Sequence, residues 1–187
     1  SELQALAAQA GITYAQAVEQ LTRRYDGYRF TPEKEFTPMY NPFSVLNALA
    51  KSRFDDYWFA SGTPTFLVEM LKRTDFDLRQ LDGIEVSSAS LTDDRANLAN
   101  PVPMIYQSGY LTIKSYDNEF REYTLSFPNE EVKYGFLNFA APFYTPVSST
   151  DTSFYIGKFV RELRSGDIEA FLNRLTCFFA DFPYELN

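Results

Sequence analysis

Apolar residues recur at helical spacing over the first two dozen positions. Leu3, Leu6 and Ala7 share one face, and Tyr14, Ala17, Val18, Leu21 and Tyr25 repeat at intervals of three and four. Gly11 separates the two predicted helices. Thr13 is placed to cap the second, because its hydroxyl can accept from a backbone N–H that has no partner inside the helix. Gly27, just past Tyr25-Asp26, supplies the positive φ at which helices commonly end. Residues 30–39 hold two prolines and mixed charge, and read as an irregular connection or a short hairpin. Asn41-Pro42 then starts a helix, since Pro at the first helical position gives up only an N–H that would have gone unpaired. This helix is predicted to turn Phe43, Leu46, Leu49 and Ala50 inward. Thr63-Pro64 repeats the signal for a helix with Phe66, Leu67, Met70 and Leu71 on its apolar face.

Residues 77–81 add a helical turn, and 84–91 read as a short strand followed by a loop. Pro101 and Pro103 introduce a short apolar helix, 102–106, whose lack of charge predicts burial; Ser108-Gly109 closes it. Residues 110–115 and 121–127 alternate apolar and polar on either side of Asp117-Asn118, the pattern of a β-hairpin. Pro128-Asn129-Glu130-Glu131 starts another helix, with acidic residues complementing its dipole and Val132, Phe136, Phe139 and Ala140 as its buried stripe. Residues 145–152 are rich in Pro, Ser and Thr and mark a boundary. Beyond them, one helix carries Phe154, Phe159 and Leu163 and breaks at Ser165-Gly166. Asp167 caps a second, with Ile168, Phe171, Leu172, Leu175 and Phe178. The predicted fold is mainly α with a small β-hairpin. It has a helical segment over 1–83, a winged-helix-like module over 84–144, and a linker with a C-terminal helical pair over 145–187.

Composition bounds the class. The 187 residues suffice for one ordinary domain or two small ones, and 45% hydrophobic residues exceed what a disordered chain carries. The single cysteine, Cys177, cannot form an intramolecular disulfide. Beside Phe178 and Phe179 it is expected to be a small buried hydrophobe, consistent with a reducing cytoplasm. No run approaches the roughly 20 apolar residues that span a bilayer, and the N-terminus lacks a signal-peptide pattern; the expectation is a cytoplasmic protein without a membrane partner. A chain beginning at Ser1 suggests a piece of something longer. The formal net charge of -8 opposes nucleic acid as the main partner, because phosphate binding relies on Lys and Arg.

The candidate chemistry is mostly subtractive. There is no histidine, which removes the Ser-His-Asp and Cys-His nucleophile systems and the commonest metal ligand. No GxxxxGK[ST] loop or GxGxxG loop occurs, so the backbone cradles for nucleotide phosphates are missing. Glu130-Glu131 and Asp93-Asp94 could serve acid/base work or hold Mg²⁺. Neighbours on a helix point about 100° apart, however, and Glu130-Glu131 sits where a helix N-terminus favours negative charge, so both pairs read as structural. Tyr25, Tyr28, Phe30, Tyr57, Trp58 and Phe59, interleaved with Arg23, Arg24, Arg29 and Arg53, could stack bases; the preferred reading is a core whose aromatic faces the arginines cover. A winged helix raises DNA binding directly. Against it, 84–144 carry Arg95, Lys114, Arg121 and Lys133 but twice as many acidic residues, including Asp117, Glu119 and Glu122 on the wing. A carboxylate hydrolase is a third class, and predicts a cleft where acidic side chains converge.

Five segments carry a likeness. Tyr25-Asp26-Gly27-Tyr28-Arg29-Phe30, Tyr40-Asn41-Pro42-Phe43-Ser44, Tyr57-Trp58-Phe59 with Ser61-Gly62-Thr63-Pro64, Tyr106-Gln107-Ser108-Gly109-Tyr110-Leu111-Thr112-Ile113, and Phe127-Pro128-Asn129-Glu130-Glu131-Val132 resemble, in this order, the bacterial AAA-ATPase-like family. The resemblance implies an N-terminal P-loop core similar to STAND-like ATPases, followed by the helical and winged-helix region seen here, then often a PD-(D/E)XK nuclease-like domain. It implies ATP and Mg²⁺ for the full-length parent and no cofactor for this portion. It carries neither ATP hydrolysis nor DNA cleavage to any residue here, so no catalytic or metal-binding residue is expected. The implied role is to pack on the core and couple it to the C-terminal effector domain, the partners being those parts of its own chain. A nucleotide-sensing arginine, if present, would be Arg23, Arg24 or Arg29; the stronger reading of Arg29, between two aromatics, is that it supports the fold. Such a module should expose an apolar patch near 25–30 where the core would dock.

Overall fold

Helix α1 (Glu2–Ala10) ends in the left-handed Gly11, and α2 (Tyr14–Tyr25) starts at Thr13, whose hydroxyl accepts from the Gln16 amide at 3.2 Å. The computed structural model describes residues 1–33, 37–60, 65–74, 76–92, 100–144 and 149–180. Helix α3 (Pro42–Lys51) is capped as its sequence predicts, with Asn41 Oδ1 accepting from the amides of Phe43 and Ser44. A four-residue α4 (Tyr57–Ala60) follows, then α5 (Thr65–Thr74), whose Leu67, Met70 and Leu71 are buried as expected. The Thr63-Pro64 start signal and Asp93-Asp94 lie outside the described residues. Leu6 of α1, Leu21 and Tyr25 of α2, Ala48 of α3 and Tyr57 of α4 form one apolar cluster, lined by Leu3, Val45, Leu49 and Phe54.

The predicted inward face of α3 is corrected. Ser44 and Ala48 are the buried positions, Leu49 is partly buried, and Phe43, Leu46 and Ala50 are exposed. This helix is apolar on nearly every side, so periodicity alone selects the largest side chains. Ser44 instead meets the Glu131 carboxylate, and Ala48 joins the apolar cluster of Leu6, Leu21, Tyr25 and Tyr57.

After a 3-10 turn (Leu78–Gln80), a three-stranded antiparallel sheet is built from β1 (Ile84–Ser87), β2 (Thr112–Asp117) and β3 (Glu122–Ser126) in the order β1-β3-β2. The hairpin is found where alternation predicts it, although its first strand begins two residues later than the pattern suggests. Asp117 Oδ1 ties its turn by accepting from the amides of Glu119 and Phe120. Ile84 stands opposite Leu125 and Ser87 opposite Glu122, so β1 completes the sheet across almost forty positions of chain. The loop expected after β1 is instead a short helix, α6 (Ser88–Thr92). Helix α7 (Val102–Gln107) buries Val102 and Ile105. The architecture is therefore mainly α with a small antiparallel sheet.

Helix α8 (Glu130–Tyr144) begins at Asn129, whose Oδ1 accepts from the Val132 amide at 3.1 Å, and buries Val132, Phe136 and Ala140. Two compact units divide the chain, Ser1–Phe136 and Leu137–Asn187. In the second, α9 (Ser149–Ser165) starts inside the stretch read as a linker, and residues 145–148 lie outside the described ones. Gly166 takes a φ of +74°, and Asp167 Oδ1 accepts from the Ala170 amide at the start of α10 (Ile168–Ala180). Phe159 meets Phe171 and Phe178 edge-on, with ring centroids 5.4 and 6.1 Å apart. Arg174 grips Glu162 with two nitrogens at 2.5 to 3.0 Å. The buried placement expected for Cys177 is corrected: it is exposed. One step along a helix turns a side chain by about 100°, so Phe178 reaches Phe159 while its neighbour faces outward.

Candidate functional site

The turn after α2 is the place where distant parts of the first unit meet. Tyr25 is fully buried and works in both directions: its hydroxyl donates to the Asp55 carbonyl at 2.8 Å and accepts from the Asp55 amide at 3.0 Å. Gly27 has a φ of +106°, and a Cβ there would stand 2.1 Å from the Pro128 carbonyl oxygen. The turn thus lies directly against the backbone leading into α8. Tyr28 and Met39 exchange backbone hydrogen bonds at 3.1 and 2.9 Å and close the intervening connection as a narrow bridge. The buried Thr112 hydroxyl of β2 accepts from the Arg29 amide at 2.6 Å and donates to the Arg29 carbonyl at 2.9 Å.

Glu131 is the centre of the arrangement. It lies in the first turn of α8 and is 1% exposed. Its Oε2 accepts from the Ser44 hydroxyl at 2.7 Å and its Oε1 from the Trp58 amide at 2.8 Å, while the Tyr57 amide also bonds the carboxylate. The carboxylate thereby caps α4 from outside and grips α3. Burial pushes its pKa above the ordinary 4.5, the Trp58 and Ser44 hydrogen bonds pull it back, and the Asp56 charge adds to the rise. Burial also raises the Tyr25 and Tyr110 phenols to about 12. Tyr28 moves in the same direction for the same reason, against a hydrogen bond from the Asn41 side chain. Tyr110 sits between Trp58 and Phe136, with centroids 4.9 and 5.3 Å away.

Four of the five segments that carry the family likeness supply these contacts through Tyr25-Gly27-Arg29, Asn41-Ser44, Tyr110-Thr112 and Pro128-Glu131. The fifth contributes the amides of Tyr57 and Trp58.

No family model matches the chain, and no solved structure matches it significantly. Among curated proteins it is similar to an "uncharacterized protein in vnfD 5'region" of Azotobacter chroococcum mcd 1. The two are 29% identical over 169 residues, 89% of this chain and 32% of that protein. The chain spans about a third of that relative's length.

Of the candidate sensing arginines, Arg23 pairs with Glu130 at 3.1 Å. Arg24 stands 4.0 Å from Asp56, with its guanidinium carbon 5.9 Å from the Phe54 ring centroid. Arg29 is held through its backbone by Thr112. The three are not brought to one point. Glu130 and Glu131 diverge, one to the surface pair with Arg23 and the other inward. Of the aromatic group, Tyr25 and Tyr57 join the core, with centroids 6.5 Å apart, and Tyr28 and Trp58 are partly buried. Phe30 departs from the core reading and is 69% exposed. Arg53 pairs with Asp55 at the surface. Among the described residues no three His, Cys, Asp or Glu side chains gather as metal ligands would, and no helix is long and apolar enough to cross a membrane.

What sequence reasoning missed is the trio Ser44, Thr112 and Glu131. The only signal for Ser44 and Thr112 is a polar residue flanked by apolar ones, and Glu131 shows only as half of an acidic pair at a helix start. A second feature is a set of exposed large apolar side chains: Phe43 and Leu46 of α3 are 48% and 66% exposed, and Tyr14 and Val18 of α2 and Phe30, Met39 and Tyr40 on the connecting segment are exposed as well. Tyr40 links the two helices, its hydroxyl lying 2.7 Å from that of Thr22 on α2.

Proposed function

We propose that this chain is a non-catalytic coupling module of a larger AAA-ATPase-like protein. It packs on the nucleotide-binding core of its own polypeptide and links that core to a C-terminal nuclease-like effector. The observation that carries the reading is the exposed apolar surface formed by Phe30, Met39, Tyr40, Phe43 and Leu46 on the outside of the junction. An ordinary soluble surface scatters such residues singly; here Met39, Tyr40, Phe43 and Leu46 are exposed within one short run of chain, and Phe30 follows closely on Tyr28, which bridges to Met39. The occupant we assign is the ATPase core, in keeping with the curated relative being about three times as long as the matched region.

The resident residues do not fit the parent's ATP and Mg²⁺. No phosphate-binding glycine loop with its lysine occurs anywhere in the sequence, so the module's part is mechanical. The order of a strand, two short helices and a hairpin, with β3 between β1 and β2, supports the winged-helix-like description of 84–144. Its hairpin turn presents Asp117, Glu119 and an exposed Phe120, which favours protein over phosphate as the surface it meets.

The test compares amide exchange in this chain alone and in the longer polypeptide that contains a P-loop core. Amides of 39–47 are expected to exchange more slowly in the longer protein, and Phe43→Asp with Leu46→Asp should abolish that protection. Identical exchange in both would remove the reading.

A further inference from the structure

One turn of α3 carries two opposed tasks. Phe43 and Leu46 face outward, while Ser44 between them is fully buried and donates to Glu131. The same carboxylate accepts from the amides that open α4. Both of its oxygens are therefore committed, one to α3 and one to α4, from a position in the first turn of α8. Moving α3 without the others would leave a buried hydroxyl or a buried carboxylate oxygen unpaired, which interiors strongly disfavour. The elements that share this group are constrained to move together.

We infer that Glu131 is the relay of the module: a load on the outer face of α3 passes through Ser44 to the carboxylate, and from there to α4 and to the start of α8. Glu131 and Ser44 are positioning residues, and neither touches the load itself. The inference rests on reading the outer face of α3 as a docking surface, but it can be tested without the partner.

The molecule contains its own reporter. Trp58 is the sole tryptophan, its amide bonds Glu131, and its ring stands edge-on to Tyr110. In the 187-residue chain with Cys177→Ser, Leu46→Cys is alkylated with naphthyl maleimide to load the outer face. The readouts are the fluorine resonance of 5-fluorotryptophan at position 58 and amide exchange at Trp58, Val132 and Phe136. The adduct is expected to shift the fluorine resonance and change Trp58 exchange by about tenfold, the scale of weakening one charge-assisted hydrogen bond. The Ile113 amide in the sheet should stay unchanged, which a general loss of stability would not allow. Adding Ser44→Ala, which leaves the bond between Glu131 and Trp58 in place, should abolish both responses. Should Ser44→Ala fail to fold, Glu131→Gln keeps the side-chain size, weakens the charge-assisted bonds and should at least halve them. No response to the adduct, or a full response without Ser44 or the carboxylate, overturns the relay. Failure of docking in the longer polypeptide, with the relay intact, would instead count against the proposed function alone.

Discussion

Gly27→Ala tests the junction most directly. Two costs add at this position. A φ of +106° lies in the region L side chains rarely adopt, worth about 1–3 kcal/mol for a residue other than glycine. The new Cβ would also stand 2.1 Å from the Pro128 carbonyl oxygen, where real Cβ atoms stay beyond 3.0 Å, so the two backbones must part by almost an ångström. Pro128 is buried and leads directly into α8, and the turn is tied to Thr112 and Asn41 on either side. Neither partner can swing away as a flexible side chain would, and overpacking of this kind costs about 1–3 kcal/mol more. The sum is about 4 kcal/mol. Gly11→Ala is the matched control: its φ is +66° and nothing lies within 4 Å of the added Cβ, so only the left-handed strain of about 1–2 kcal/mol applies. Urea unfolding followed by far-UV circular dichroism and Trp58 fluorescence gives both values. A Gly27→Ala loss within about 0.5 kcal/mol of the Gly11→Ala loss would refute the close approach, since 0.5 is the spread of ordinary surface substitutions.

Thr112→Val removes the hydroxyl that bonds both the amide and the carbonyl of Arg29, and should cost about 2–3 kcal/mol in urea unfolding while Thr112→Ser costs under half of that. Glu131→Gln should alter the pH dependence with a defined sign. Because burial raises the folded-state pKa above 4.5, the folded protein holds the extra proton just above that pH, and stability falls as pH rises through the window. The wild-type advantage over Glu131→Gln is then largest near pH 4.5 and narrows toward neutrality in urea titrations at several pH values; a widening gap would contradict the burial. Leu46→Ser, at a position 66% exposed, should shift the stability of the isolated chain by no more than about 0.5 kcal/mol, and a core-sized loss by thermal melt would show that α3 faces the other way.

The local devices of this fold are legible in the sequence because each is satisfied within a few residues. Thr13 and Asn41 cap helices they immediately precede, Gly11 and Gly166 take positive φ where a helix stops, and Asp117 organises a turn two and three residues ahead. The strand at 84–87 was visible, but its pairing with β3 was not, since register across almost forty residues is decided by partners rather than by either strand alone. Side-chain facing fails in a telling way at α3 and at Cys177. Hydrophobic periodicity assumes that the largest apolar residues of a helix define its inner face. At α3 the inner face is set instead by particular partners: Ser44 meets the buried Glu131 carboxylate, and Ala48 packs among Leu6, Leu21, Tyr25 and Tyr57.

The same reasoning explains why the most informative residue of the junction looked ordinary. Glu130 and Glu131 are adjacent acids at a helix start, and either one satisfies the dipole. Their difference arises from a rotation of about 100°: Glu130 turns toward Arg23 at the surface, and Glu131 turns inward, where an ionised group is tolerated only with donors arranged around it. Those donors are Ser44 and the Trp58 amide, 87 and 73 residues away in sequence. A buried carboxylate so placed gives little net stability over a well-packed apolar substitute, but it permits only one arrangement of the three helices that meet it. The segments resembling the AAA-ATPase-like family are thus understandable as the parts of one rigid junction. Tyr25, Ser44, Tyr110, Thr112 and Glu131 face inward from these segments, while Phe30, Tyr40 and Phe43 of the same segments, with Leu46 just beyond, are exposed.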